Sequence, residues 1–455
     1  MRISKKNLRK RLFKSLSEMY AAEVPLYDKL LETVRDVNLQ VAGEKPELVP
    51  EGRSIEELSA ERHGAIRLGK PEEMRGMARF FACLDMYPVN FYNLADAGTK
   101  SQPIISTAFR PLYDADHRVF CSLLMPDYFD ADTRIRVETA LKDRKIFPNK
   151  LLRLIEVSEQ EGDLNEEQGR DFIHEAQKLF SWQGKAHDHA LYRHLVSIRV
   201  NIAADIACFP NPHLNHLTPN TLDIDRLYDE MSRRLGADYV GLDHKGMKDS
   251  IEGPPRRKVP VLLRQTSYKA LDEKVLFTEN DGSTLQATHT ARFGEIEERG
   301  IAMTPAGRAL YDAAIERSAP GDLPYAECFS GIPDDFDELR RKGLIYLQYN
   351  LKEGLLARDV YGLDPEEAIR KNLVTFTPIR YEDFLPVSAA GIFASNLEQY
   401  GTRPQGEARK SYSKSLLESY LDCDITEAEE LYATEMNKSM AILPNGFFQP
   451  DIIGS

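Results

Sequence analysis

The run Glu61-Arg62-His63-Gly64-Ala65-Ile66-Arg67-Leu68-Gly69 limits the fold more than any other stretch of the chain. It is short, apolar at its centre and closed by Gly69, Lys70 and Pro71, which predicts a strand rather than a helix. On a strand, residues four apart share a face, about 13 Å apart at roughly 3.3 Å per residue. His63, a metal-ligand type, and Arg67, a fixed cation, then look into one space and can hold the two ends of one small acid. The flanks fix the setting. Ser54 and Glu57 make a capping-box pattern that opens a short helix before the run. Pro71-Glu72-Glu73 places proline and acids at a helix start, with the helix running to about Asp85. Strand-like runs follow near Ile104–Phe109 and Val119–Leu124. The expected order is a histidine-bearing strand, a helix and further strands.

At 455 residues the chain exceeds the size at which one core usually stops growing, so two or three packed units, or one large α+β body, are expected. Residues 1–50 carry helical spacing from 4 to about 38, with Leu8, Leu12, Phe13 and Leu16 on one side, and form an N-terminal helical segment. Residues 51–127 make a first metal-binding module, and 128–208 a helical insertion with Phe172, Ala176 and Phe180 at core spacing. A second module is expected over 209–310. It has a strand around Asn215–Pro219, a helix at Ile224–Leu235, a buried strand at Val259–Thr266 and a half-exposed one within Thr288–Met303. Residues 311–455 form a mixed C-terminal region closing the site.

Charge and composition narrow the function. A net charge of −13 repels phosphate backbones, and the basic N-terminus Arg2–Arg11 reads as the solvated side of an amphipathic helix, so no nucleic-acid partner is expected. No run approaches the ~20 apolar residues that cross a bilayer, and no apolar stretch follows the basic start as a secretory signal requires. The five cysteines, Cys83, Cys121, Cys208, Cys328 and Cys423, are widely spaced with no C-x-x-C pair, which fits reduced thiols and a cytoplasmic protein. Oligomeric state is left open.

Two later segments supply what a lone histidine lacks: Leu214-Asn215-His216-Leu217-Thr218-Pro219 and Phe293-Gly294-Glu295-Ile296-Glu297-Glu298-Arg299-Gly300. His63, His216 and Glu295 make a two-histidine, one-carboxylate set suited to non-haem Fe(II) with open positions. Spacing does not choose His216 over His213, nor Glu295 over Glu297, which share a strand face. Glu297 is then an acceptor orienting a ligand histidine, or a surface carboxylate. His187-Asp188-His189 with His194 has suitable types, but His189 and His194 diverge on a helix. Arg110 and Arg264 are candidate anchors for a second carboxylate, with Gln265 and Ser267 as further donors.

Taken in order, HGAIR from His63, STAFRP from Ser106, NHLTP from Asn215, LLRQTS from Leu262 and FGEIEERG from Phe293 resemble the bacterial 2-oxoadipate dioxygenase/decarboxylase family, distant relatives of the vicinal-oxygen-chelate enzymes. The likeness runs from about Met1 past Phe393. It implies an α+β fold with two βαβββ modules forming a curved, barrel-like mixed sheet around one metal, decorated by N-terminal, inserted and C-terminal helical segments. It implies an Fe(II) enzyme that takes 2-oxoadipate and O₂ to 2-hydroxyglutarate and CO₂ in lysine breakdown. Carried over by position, the metal ligands are His63, His216 and Glu295, Arg67 contacts a substrate carboxylate, and a backbone contact falls at Val387. The resemblance thus selects His216 and Glu295 from the open pairs. Two other functions use the same residues: a zinc hydrolase or isomerase with that ligand set, and a non-catalytic protein in which Arg67 and Arg110 hold a dicarboxylate.

Overall fold

The computed structural model describes residues 2–50, 52–96, 101–235, 251–267, 272–279, 281–290, 294–318, 323–385, 411–444 and 446–447. It is α+β. The central element is a five-stranded sheet built from β1 (Arg62–Leu68), β2 (Tyr87–Asn93), β3 (Ile104–Arg110), β4 (His117–Leu124) and, after a short β5 (Lys185–His187) elsewhere, β6 (His216–Pro219). Its order is β2-β3-β4-β1-β6, with β1 parallel to β4 and antiparallel to β6.

The local chemistry follows the sequence closely around β1. Ser54 and Glu57 close both halves of the capping box on the helix Ile55–Ala60. Pro71 opens the helix Pro71–Ala82 with Glu72 and Glu73 in its first turn, and this helix links β1 to β2. Strand β2 was not marked by its sequence. Pro88 lacks an amide proton and Asn90 takes a left-handed φ of 61° where the pairing with β3 shifts between Val89 and Phe91, both of which an edge strand tolerates.

Every residue of β1, β3 and β4 is buried, so polar alternation is absent from these strands. Their two faces instead belong to two separate cores. Ile66, Leu68, Ile105, Phe109, Val119 and Cys121 pack with the N-terminal helices Lys5–Glu23 and Tyr27–Glu44 and the helices Asn149–Glu161 and Glu166–Phe180. Ala65, Ile104, Ala108, Phe120 and Leu124 face the other core, which includes the helix Asn201–Cys208 and C-terminal residues such as Ile345, Phe384 and Tyr432. His63 and Arg67 share the Ala65 face by strand alternation.

The segment 209–310 contributes strands to three sheets. Its helix Ile224–Leu235 is present, but its later strands divide. β7 (Leu263–Ser267) pairs with β10 (Glu295–Arg299), whereas β8 (Asp272–Thr278) and β9 (Thr284–Thr290) form a hairpin that joins β5. An isolated bridge between Asn220 and Glu297 brings β10 alongside β6. Among the described residues the strands form several small sheets and do not close into a barrel. The half-exposed strand expected within Thr288–Met303 is instead two strands, and β10 is almost wholly buried despite the sequence Glu-Ile-Glu-Glu-Arg. The cause is ion pairing: Arg299 lies on Glu297, and Arg264 lies 3.4 Å from Glu298. A last pair, β11 (Leu347–Leu351) with β12 (Val374–Pro378), and the helices Lys414–Leu421 and Ala428–Met440 complete the C-terminal region. No helix among the described residues is long and apolar enough to cross a membrane.

Candidate metal centre

The register of β1 against β6 sets the site. His63 lies opposite Thr218 and Ala65 opposite His216, and residues directly opposite in an antiparallel pair point to the same side. His63, Arg67, His216 and Thr218 therefore share one face. Strand β10 adds Glu295 and Glu297. The ligand atoms of His63, His216 and Glu295 all lie within 4.8 Å of one another, and all three side chains are buried. His63 Nε2 is 3.1 Å from His216 Nε2 and 3.8 Å from Glu295 Oε2, while His216 Nδ1 is 3.3 Å from Glu295 Oε1.

A chain of hydrogen bonds fixes these groups. His63 Nδ1 meets Glu297 Oε2 at 2.9 Å. Arg299 grips both oxygens of Glu297, Nε to Oε1 at 2.8 Å and Nη2 to Oε2 at 2.9 Å. Burial alone would push the Glu297 carboxyl up, but Arg299 and then His63 hold it below the usual carboxylate range. Glu297 is thus an acceptor and His63 Nδ1 donates, which leaves the Nε2 lone pair aimed into the site. Glu297 is no surface carboxylate. Thr218 Oγ1 donates to Glu295 Oε2 at 2.9 Å, and the Phe384 ring stands edge-on to His63 with centroids 4.6 Å apart.

The electrostatics call for a cation. Burial lowers the pKa of His63 and lowers that of His216 well below the ordinary value, so both rings are neutral donors. Burial also pushes the Glu295 carboxyl well above its usual range, reinforced by the charges of Glu297 and Glu252. Glu295 Oε1 accepts no hydrogen bond among the described residues. Two neutral imidazoles converging on a buried, under-compensated carboxyl fit a divalent metal, which supplies the missing charge and accepts the lone pairs.

The remaining expected residues are distributed unevenly. Gln265 sits on β7 opposite Glu297, fully buried, with neither amide atom hydrogen-bonded among the described residues. Ser267 takes the register position opposite Glu295. Arg67 is buried on the metal face, with Nη1 donating to Asp205 Oδ2 at 2.6 Å. Arg110 is turned to other work: its fork grips Asp383 at 2.9 and 3.0 Å and its Nη1 bonds two backbone carbonyls. Arg264 bonds Asp225 and the Pro254 carbonyl. Val387 lies outside the described residues. His194 bonds Thr133, and the His187–His194 segment brings together no metal-binding group among the described residues.

His213 belongs to a different cluster, with Asp205 and His289, also buried. Sequence reading missed Asp205, His289, Thr218 and Arg299. Thr218 and Arg299 carried a usable signal, each standing two residues beyond a site residue on the same strand face. Asp205 carried another, as a lone acid in the apolar run Ile202–Cys208.

The sequence profile described as 2-oxoadipate dioxygenase/decarboxylase matches residues 12–396. The 2-oxoadipate dioxygenase/decarboxylase of Escherichia coli strain K12 is 41% identical over 456 residues, covering 96% of this chain and 98% of that protein. The Pseudomonas putida protein of the same name is 39% identical, covering 96% of each chain. The crystal structure of the P. putida hydroxyglutarate synthase in complex with 2-oxoadipate superposes with a TM-score of 0.82 at 36% identity, covering 98% of this chain and 99% of that one. A Shigella flexneri crystal structure gives 0.80 at 36%, covering 97% and 99%. The chain is a member of the 2-oxoadipate dioxygenase/decarboxylase family.

Proposed function

We propose that this protein carries out the Fe(II)-dependent oxidative decarboxylation of 2-oxoadipate, consuming one O₂ and releasing 2-hydroxyglutarate and CO₂, as a step of lysine breakdown. The observation that carries the reading is the buried convergence of His63, His216 and Glu295, with Glu295 Oε1 accepting no hydrogen bond among the described residues. These three residues would hold the iron. When bound, Fe(II) supplies open positions at which a 2-oxo acid and O₂ meet, which a closed-shell acid alone does not offer.

The chain's own residues do the rest. Glu297 and Arg299 lock the His63 ring, and Thr218 holds Glu295. Phe384 and the surrounding core keep water from the metal face. Arg67, four residues along β1 from His63, binds the distal carboxylate of the substrate and thereby sets chain length. The buried amide of Gln265 donates to the same ligand, assisted by Ser267 and the Val387 backbone. The C1 carboxylate departs as CO₂, and both atoms of O₂ remain on the shortened acid, one in its new carboxylate and one in its hydroxyl. The same reading takes the array β2-β3-β4-β1-β6 with β10 and β7 as two vicinal-oxygen-chelate-like modules, spanning 51–127 and 209–310, with the 128–208 helices inserted between them.

Oxygen-electrode traces with 2-oxoadipate test this, using protein stripped of metal and reloaded anaerobically with Fe(II) or Zn(II). Uptake with Fe(II) alone, matched mole for mole by 2-hydroxyglutarate, is expected. Turnover with Zn(II) and no oxygen uptake would point to hydrolase or isomerase chemistry, and metal-independent binding without turnover to a carrier.

A further inference from the structure

We propose that Asp205 is a positioning residue for Arg67, and that the buried nest it forms with His213 and His289 sets the enzyme's demand for a second carboxylate on its substrate. The proposal rests on Arg67 being the distal-carboxylate anchor. Asp205 stands in the helix Asn201–Cys208, where Ile202, Ala203, Ala204, Ile206, Ala207 and Cys208 are all buried. It is itself 3% exposed. A carboxylate in such a place costs several kcal/mol unless it is paired, so its partners explain its presence.

Those partners come from three separate elements. Arg67 of β1 donates from Nη1 to Oδ2 at 2.6 Å. His213, from the segment before β6, and His289 of β9 each bring Nε2 to 3.4 Å from Oδ1. Burial would raise the Asp205 carboxyl, but His213, Arg67 and His289 together hold it below the usual carboxylate range. His289 is oriented by Tyr192, whose hydroxyl lies 3.0 Å from Nδ1. Aromatic rings wall the nest: Trp182 stands edge-on to His213 at 4.7 Å, and Phe209 lies 4.6 Å from the His289 ring.

The guanidinium of Arg67 is therefore tied through Nη1 to a buried carboxylate whose other oxygen faces the two histidines. Preorganisation of this kind lowers the cost of ordering a long side chain when ligand arrives. The charge of Arg67 also acts on His216 and Glu295, which places it within electrostatic reach of the metal face. Asp205, His213 and His289 have the residue types of a second metal site as well. Against that, Arg67 already occupies Asp205, and a divalent ion sharing this buried carboxylate would face a fixed cation in a low-dielectric interior.

The test compares 2-oxoadipate with 2-oxohexanoate, which lacks the distal carboxylate, in Fe(II)-loaded wild type, D205N, H289Q, R67A and R67A/D205N. Anaerobic calorimetric affinities, kcat/KM and bound metal are measured. Asp205→Asn is expected to weaken 2-oxoadipate binding and kcat/KM roughly tenfold while leaving 2-oxohexanoate within about twofold and bound iron unchanged. It should add nothing to Arg67→Ala, the mark of two residues acting through one another. His289→Gln should shift selectivity in the same direction by less, and it serves if D205N fails to fold. Equal losses on both acids with D205N and H289Q, while R67A remains selective, would overturn the positioning role alone. An unselective R67A would overturn the anchor reading itself. A second equivalent of metal in wild type, lost in D205N, would make the nest a metal site instead.

Discussion

Glu295 shows how much one residue can reveal about an absent partner. Its carboxyl is buried beside neutral histidines and carries a raised pKa, so the metal-free fold binds its proton more tightly than the unfolded chain does. The stability associated with that proton is present below the ordinary carboxyl pKa and is lost as pH rises through the raised value. Glu295→Gln removes the ionisation while keeping the shape. In chelator-treated protein it should therefore stabilise by on the order of 1–3 kcal/mol at alkaline pH, with the gain shrinking towards pH 5. Thermal melts across pH check this, and a pH-independent difference would contradict it. With metal present the order should reverse, because wild type alone offers the anionic ligand. His63→Ala, His216→Ala and Glu295→Ala should each abolish turnover and iron retention. Glu297→Ala leaves the three ligands in place but releases the His63 ring, and should weaken iron affinity by about 10–100-fold. Metal analysis after gel filtration separates the two outcomes, and full iron in H216A with loss in H213A would exchange the roles of those histidines.

Strand β10 owes its position to a glycine as well as to its charges. A Cβ on Gly300 would stand 2.4 Å from the Pro260 carbonyl carbon and 2.6 Å from the Val261 nitrogen, both backbone atoms that cannot rotate away. Gly300→Ala should cost about 1–3 kcal/mol and push β10 off its neighbour. Because β10 carries Glu295 and Glu297, iron affinity should fall along with the melting temperature. A stable G300A with unchanged iron binding would show that this close approach does not hold the site. The sequence made some elements plain and hid others. Strand β1 and the helix after it are bounded by proline, glycine and a capping box, which are local signals. Strand β10 was legible as a strand but not as a buried one, since its acids are compensated by Arg264 and by Arg299, whose pairing depends on tertiary placement. The pairing of β5 with β8 joins residues that no local pattern connects. Among site residues, HGAIR, NHLTP and FGEIEERG carried the three converging side chains, whereas Arg110 looked like a ligand anchor because its partner Asp383 lies far along the chain.

At the scale of the whole molecule, one sheet separates two cores. The N-terminal helices and the helices between 149 and 180 back one face. The other face, bearing His63 and Arg67, is roofed by the helix Asn201–Cys208 and by C-terminal residues including Phe384. Residues far apart along the chain thus pack over the face that bears His63 and Arg67. The most direct measurement is mass spectrometry of 2-hydroxyglutarate formed from 2-oxoadipate by the Fe(II)-loaded enzyme under ¹⁸O₂ in ordinary water. Both labelled atoms are expected in the product, one in the new carboxylate and one in the hydroxyl, with unlabelled CO₂ released. Product whose added oxygen comes from water would contradict the account.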